Sequence, residues 1–392
     1  MRPARLAYLV THPIQYQAPL LRRIAAEPDI ELTVLFESDH SLRAHVDREF
    51  GRTIAWDVKL LDGYRQRFLR SWGSVGRGQL PSFWRPVSSD LATVLHAGGF
   101  DALWVHGYSY ANHLAALMLA KRYGMKTFLR DEATELSRQR GSVKTMSKRV
   151  FFALVDRIVD RYLAIGRANF RHWEALGVAP GKIITLPYAV DGRLFSSAGT
   201  DGGETRRLFG IANEQKLIVF SAKLIDRKRP LDVLNAFERL QRGMDRRPAL
   251  VMAGDGDLMP AIRQTAAKSG LQDVHIVGFQ TQKQLAALYT AADVLVLPSE
   301  RESWGLVVNE AMYGGCAIVA SDRVGAAADL VRDNGIVYPV GDVAALTRAL
   351  ETVLESDMAL KKMQRRSREI IAEWGFEQDV RALRQALDLP AR

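Results

Sequence analysis

The 392-residue chain has one cysteine, Cys316. That excludes an intramolecular disulfide framework and any structural zinc site built on several thiolates. A reducing compartment is the natural setting. Long apolar runs are missing too, and none approaches the roughly 18–20 residues that cross a bilayer as a helix. After Met1-Arg2-Pro3-Ala4-Arg5 only Leu6 to Val10 precede Thr11 and His12, too little for the apolar core of a signal peptide. The expectation is a soluble cytoplasmic protein. No glycine stands between Arg5 and Ala18. The Gly-x-Gly-x-x-Gly turn of a dinucleotide dehydrogenase is therefore absent where its first strand would need it. Helix-turn-helix, zinc-finger and RNA-binding signatures are also missing.

What is present is an average globular composition, 47% hydrophobic and 25% charged, on a chain long enough for two domains. The net charge of +10 is unevenly placed: residues 1–195 hold 28 basic and 18 acidic residues, and the remainder holds 26 of each. Arg65, Arg67, Arg70, Arg77 and Arg85 have no acidic residue between them. Charge of one sign on one domain favours an anionic partner surface, with nucleic acid, an acidic leaflet or a phosphorylated substrate as candidates. The missing signatures and the neutral second half argue against nucleic acid.

Short β-rich runs alternate with helical patterns along the chain. The first half offers strands at 5–11, 31–36, 102–106, 126–129, 162–165 and 183–187, and the second at 217–221, 249–253, 275–277, 294–297, 318–320 and 336–338. This predicts an α/β chain of two Rossmann-like, doubly wound parallel-sheet domains facing a central cleft. The polar, Gly-rich stretch from Phe195 to Asn213 reads as the linker. The expected domains are 1–195, 196–375 and a C-terminal helical segment 376–392. Asp57 to Ser89 has no clear period and reads as an excursion from the first sheet.

The strongest constellation runs from Pro298 to Met312. It follows the strand 294–297 and opens a helix near Gly305, so Glu302 is delivered to the strand's carboxyl end. Gly305 lets backbone N–H groups approach an anion at the helix N-terminus. Glu310 lies further along that helix, where a carboxylate can accept hydrogen bonds from vicinal hydroxyls.

This stretch resembles glycosyltransferase family 4, retaining enzymes of the GT-B fold. The family signature is Glu, seven residues, Glu, with aromatic-Gly after the first and Ala-Met after the second. Here it stands as Glu302 to Glu310 with Trp304-Gly305 and Ala311-Met312. The resemblance implies that Glu302 touches the donor sugar and Glu310 the ribose. Ser303, Trp304, Gly305 and Leu306 would line the sugar and diphosphate. Lys223 and Lys228 match the family's basic loop, with lysine in place of an arginine at 223. Two cations there would balance a departing diphosphate without metal. Gly254 resembles the family's Gly-x-Gly turn, and Gly278-Phe279 the loop beside the nucleobase. Asp255-Gly256-Asp257 looks like a metal-binding Asp-x-Asp, but its place in a two-sheet chain argues against that role. No metal and no cofactor beyond the nucleotide-sugar donor, UDP- or GDP-linked, is expected.

The resemblance is thin before Phe100, and the N-terminal half departs from the family pattern. Where the family has a Gly-Gly loop after the first strand stand His12, Gln15 and Tyr16. Where it presents a histidine stand Arg130 and Asp131, and His106 closes the strand 102–106. These six are the candidate acceptor-binding residues. The helix read at 147–160 carries Phe151, Leu154, Val155 and Ile158 among Lys148, Arg149 and Arg157. Such a stripe either packs on the sheet or lies on an anionic bilayer. With the charge asymmetry, a membrane-surface acceptor domain is the preferred reading. The chain is expected to be a retaining glycosyltransferase moving sugar to a lipid-linked or oligosaccharide acceptor; the alternative is an inactive binding module of the same fold.

Overall fold

The computed structural model describes residues 2–42, 45–47, 52–54, 59–72, 83–85, 87–135, 142–196, 202–243 and 247–390. The chain forms two compact units. One comprises Met1–Asp47, Thr53–Tyr188 and Phe376–Arg392, the other Arg48–Arg52 and Ala189–Gly375.

The first unit is built on a seven-stranded parallel sheet. Its strands are β1 (Ala4–Val10), β2 (Ile30–Phe36), β3 (Arg65–Phe68), β4 (Ala102–His106), β5 (Lys126–Arg130), β6 (Arg161–Ala164) and β7 (Ile183–Thr185), in the order β7-β6-β5-β4-β1-β2-β3. Leu6, Tyr8 and Val10 point to one face, and Ala7 and Leu9 to the other, each into its own apolar cluster. The helix Ala18–Ala25 starts with Pro19 in its first turn and buries Leu20, Leu21 and Ile24. The helix Phe376–Ala386 joins the same cluster through Val380, Leu383 and Ala386. Arg384 fixes it there by donating to Asp29 over 2.7 Å, and Arg23 donates to Glu377 over 2.7 Å.

The second unit repeats the plan with six parallel strands. They are β8 (Leu217–Ser221), β9 (Ala249–Ala253), β10 (Val274–Gly278), β11 (Val294–Leu297), β12 (Ala317–Ser321) and β13 (Gly335–Tyr338), in the order β10-β9-β8-β11-β12-β13. Every residue of β8, β9, β11 and β12 is buried, as a sheet covered on both faces requires. In each sheet the winding reverses once, between β1 and β4 and between β8 and β11. Ligands of such sheets bind at the carboxyl ends flanking that reversal.

Three readings need correction. The first unit ends at Tyr188, before the Phe195 limit expected from the Gly-rich stretch. The reason is that Phe195 is buried in the second unit, 6.3 Å from the ring of Tyr289, so this segment folds with the second core. Part of the expected linker is the helix Gly202–Leu208; it is held by Arg206, which reaches the Ala291 carbonyl and the Asp293 carboxylate over 2.9 Å each. The excursion 57–89, much of it outside the described residues, contains the edge strand β3. Its exposed Arg65, Gln66 and Arg67 suit an edge and erase the apolar alternation.

Candidate active site

Two loops meet at the reversal of the second sheet. The loop after β11 is pinned by its backbone: Glu300 N–H donates to the Arg227 carbonyl over 2.8 Å, and Glu302 N–H to that of Arg323 over 3.1 Å. Ser321 adds a hydroxyl bond of 2.6 Å to the Ser299 carbonyl. Gly305, at φ 98°, then turns the chain into the helix Leu306–Gly314. A Cβ at Gly305 would lie 3.1 Å from Leu297 and 3.3 Å from Glu302, so the turn is both left-handed and crowded. No side chain caps this helix. Val308 N–H donates to the Gly305 carbonyl over 2.9 Å, and this first turn carries the positive end of the helix dipole.

The loop after β8 passes directly over Gly254, where a Cβ would come within 1.9 Å of the Ala222 carbonyl oxygen. Further along this loop Lys228 Nζ is in direct contact with Glu302 Oε2, the two side chains being 12% and 17% exposed. A cavity of about 350 Å³ opens beside them, lined by Lys223, Arg227, Lys228, Glu302, Gly254, Phe279, Gly305 and Leu306 among others. Lys228 and Glu302 compensate each other. Lys223 and Arg227 are the other charged groups among its lining residues, so basic groups outnumber acidic ones on the lining. Seven of the expected donor-side residues thus share one wall. Arg227 belongs with them and was not singled out, although it stands inside the basic segment that drew attention to its two lysines.

Four expected residues lie off the cavity lining. Gly278 ends β10 with φ 70°. Ser303 contributes its carbonyl, which a Cβ at Gly325 would meet at 2.0 Å. The indole of Trp304 is buried, donates to Asn309 over 2.9 Å and stacks on Trp374 at 5.7 Å and 15°. Its anchoring stiffens the turn, leaving only its backbone for a ligand. Glu310 accepts a 3.3 Å bond from the buried Tyr289 hydroxyl, which also bonds Ser221 on the cavity wall. Burial pushes the Glu310 carboxyl up to about 7, against the pull of the Tyr289 bond.

The first unit holds a second polar cluster at its own reversal. Glu132, just past β5, accepts from Tyr16 over 2.8 Å, contacts the Tyr188 hydroxyl directly and lies 3.4 Å from His106 Nε2. Behind it, His106 Nδ1 meets the Tyr8 hydroxyl at 3.1 Å and Gln17 Nε2 at 3.3 Å. Burial opposes the charge on Glu132, yet the bonds from His106, Tyr188 and Tyr16 prevail and hold its carboxyl down to about 2. Tyr16 and His106 are therefore brought together, around a carboxylate that sequence reasoning passed over. Arg130 is placed inside the fold instead. It is 2% exposed, with its guanidinium 4.6 Å from the Tyr188 ring centroid and 5.8 Å from that of Trp104. The Asp131 carboxylate accepts the Ala133 amide over 3.0 Å, and burial raises its pKa. His12 bonds Thr11 Oγ1 over 2.8 Å and faces the His40 ring. Gln15 is half-buried in the same loop.

Comparison with known proteins bears on both units. The Anabaena protein Alr3699/HepE, solved in complex with UDP, matches 98% of this chain and 99% of its own, with TM-score 0.75 and 16% identity. The fold is GT-B. Within this GT-B chain, residues 203–370 match the family model described as glycosyl transferases group 1, which covers most of the second unit. N-acetyl-alpha-D-glucosaminyl L-malate synthase of Bacillus anthracis is 26% identical over 301 residues, 75% of this chain and 76% of the relative. D-inositol 3-phosphate glycosyltransferase of Corynebacterium diphtheriae is 30% identical over 202 residues, 49% and 46% of the two chains. The GT-B chain thus resembles glycosyltransferases in sequence as well as in fold.

Proposed function

We propose that the protein is a retaining glycosyltransferase of the family 4 type, using a nucleoside-diphosphate sugar. The carrying observation is the Lys228–Glu302 pair beside Lys223 and Arg227 in a cavity at an uncapped helix N-terminus. In the proposed step the sugar C1–O bond breaks and its electron pair goes to the diphosphate oxygen. The acceptor hydroxyl bonds to C1 from the same face, and its proton passes to the departing phosphate. Lys223, Arg227, Lys228 and the helix amides stabilise the charge that develops, without calling on a metal ion. Glu302 orients the sugar hydroxyls, and Glu310 takes those of the ribose. A thermal-shift panel of UDP, GDP, CMP and NAD tests the donor site. One nucleoside diphosphate is expected to raise the melting temperature by several degrees, because it binds only the folded chain. No response to any diphosphate would remove this reading.

Acceptor recognition falls to the first unit in the same proposal, and its basic charge suits a lipid-diphosphate-linked acceptor at an anionic membrane. No helix among the described residues is long and apolar enough to cross a membrane. The helix Ser142–Val155 turns Phe152 and Val155 into the core with Phe151 and Ile158 packed against it, so most of the expected stripe faces inward. Leu154 of that stripe faces outward with Met146 and Val150, the three 58–60% exposed at helical spacing beside exposed Arg149 and Arg157. This is the face expected on the bilayer. Vesicles containing phosphatidylglycerol are expected to retain the protein at physiological salt, and neutral ones to release it. Equal retention by both would discard membrane docking and leave the donor site untouched.

A further inference from the structure

The Glu132 cluster specifies what kind of acceptor the first unit can hold. Its three donors come from separate segments: Tyr16 follows β1, His106 ends β4 and Tyr188 follows β7. All three converge on Oε1. Oε2 takes none of these bonds, and the side chain is 39% exposed. The two phenols stay protonated because burial pushes both pKa values far up. One oxygen is thus saturated by fixed donors, while the other is presented as an ionised hydrogen-bond acceptor in a set orientation. The cluster lies at the β1/β4 reversal, where a doubly wound sheet binds ligands.

Of the neighbouring basic groups, His106 lies 3.4 Å from Oε1, the oxygen already bonded, and the other two are held elsewhere. Arg130 is buried beneath the Tyr188 ring, and Lys148 donates to His172 over 3.0 Å. A second carboxylate arriving at Oε2 would meet a like charge. A hydroxyl would complete the oxygen's hydrogen bonding, and bonds to a charged acceptor are the stronger kind.

We propose that Glu132 Oε2 binds an acceptor hydroxyl, and that the acceptor group seated there is an uncharged polyol, a sugar or cyclitol, rather than a hydroxycarboxylate. This rests on the glycosyltransferase reading for calling the ligand an acceptor. The test uses the full chain saturated with the nucleoside diphosphate that stabilises it. Methyl α-glucoside, myo-inositol and L-malate are then titrated by ligand-observed NMR. At least one polyol is expected to bind ten times or more tighter than L-malate. Glu132→Gln is expected to weaken the polyol about tenfold and to narrow the gap to malate, since the repelling charge is gone. A purely structural Glu132 would leave that ratio unchanged.

Malate binding as tightly as either polyol, binding of neither polyol, or an unchanged ratio in Glu132→Gln would each overturn the proposal. The thermal shift caused by the nucleotide reports whether the variant is folded. If it is not, Glu132→Asp replaces it: the charge remains but the oxygen is withdrawn, so polyol affinity should fall while malate stays excluded. Unchanged polyol affinity in Glu132→Asp would again overturn it. Absence of any nucleotide shift in the native protein would count against the donor site instead, which keeps the two failures apart.

Discussion

Glu302→Gln is expected to lower sugar transfer by about a hundred- to a thousandfold, the range seen when one preorganised group aimed at a transition state is removed. Affinity for the nucleoside diphosphate should change little, because the lost carboxylate faces the sugar in the proposed step. The melting temperature should hold too. Glutamine keeps the volume, and the turn that carries it is fixed by backbone bonds from Glu302 N–H to Arg323 and from Gly325 N–H to the Glu302 carbonyl. Lys228 would lose its ion-pair partner but remain beside an open cavity, where water or the diphosphate can serve it. Lys228→Met should also be damaging, and the double substitution should cost much less than the two effects combined, since the residues share one interaction. Steady-state rates of the three variants check this. Native turnover by Glu302→Gln would remove Glu302 from the chemistry.

Donor binding should depend on pH through Glu310. The carboxyl titrates near 7 because burial disfavours its charge. Under the proposed ribose role the ionised carboxylate is the stronger acceptor of the hydroxyls, so binding is expected to follow the ionised fraction. Affinity for the nucleoside-diphosphate sugar is therefore expected to be about tenfold weaker at pH 6 than at pH 8. A sugar diphosphate is the right probe, since its esterified phosphates do not titrate in this range. Folding responds in the opposite sense. The folded-state pKa lies above the ordinary carboxyl value of 4.5, so this group's contribution to stability is complete below pH 4.5 and declines as pH rises through about 7. Glu310→Gln should flatten both profiles. A native profile without slope between pH 6 and 8 would remove the ribose assignment, and so would a slope that survives in Glu310→Gln.

Legibility in the sequence followed burial. β8, β9, β11 and β12 are covered on both faces, so their composition reads as continuous apolar runs, and β8, β9 and β11 fall where those runs do. β3 escaped because an edge strand needs no apolar alternation. The cavity wall of the second unit was legible because one strand, one turn and one helix bring Glu302, Gly305 and Leu306 together locally, so spacing carries the geometry. The Glu132 cluster was not. Its members stand at 16, 106, 132 and 188, and only the sheet order places their strand ends side by side. Arg130 and Glu132 show the same limit at closer range. Arg130 ends β5 and Glu132 stands two residues on, yet one points into the fold and the other is part-exposed, and nothing local distinguishes them.

The two-part construction of the first unit bears on how the chain is made. Its core is incomplete without Val380, Leu383 and Ala386, which pack with Leu6 and Tyr8, and without Arg384, which binds Asp29. A ribosome synthesises all of the second unit before supplying those residues. The first unit, though begun earlier, must therefore keep part of its apolar face unfilled until the helix Phe376–Ala386 emerges, after the whole of the second unit. The waiting face is where a chaperone would bind the nascent chain. A copy ended at residue 375 would keep that face open permanently.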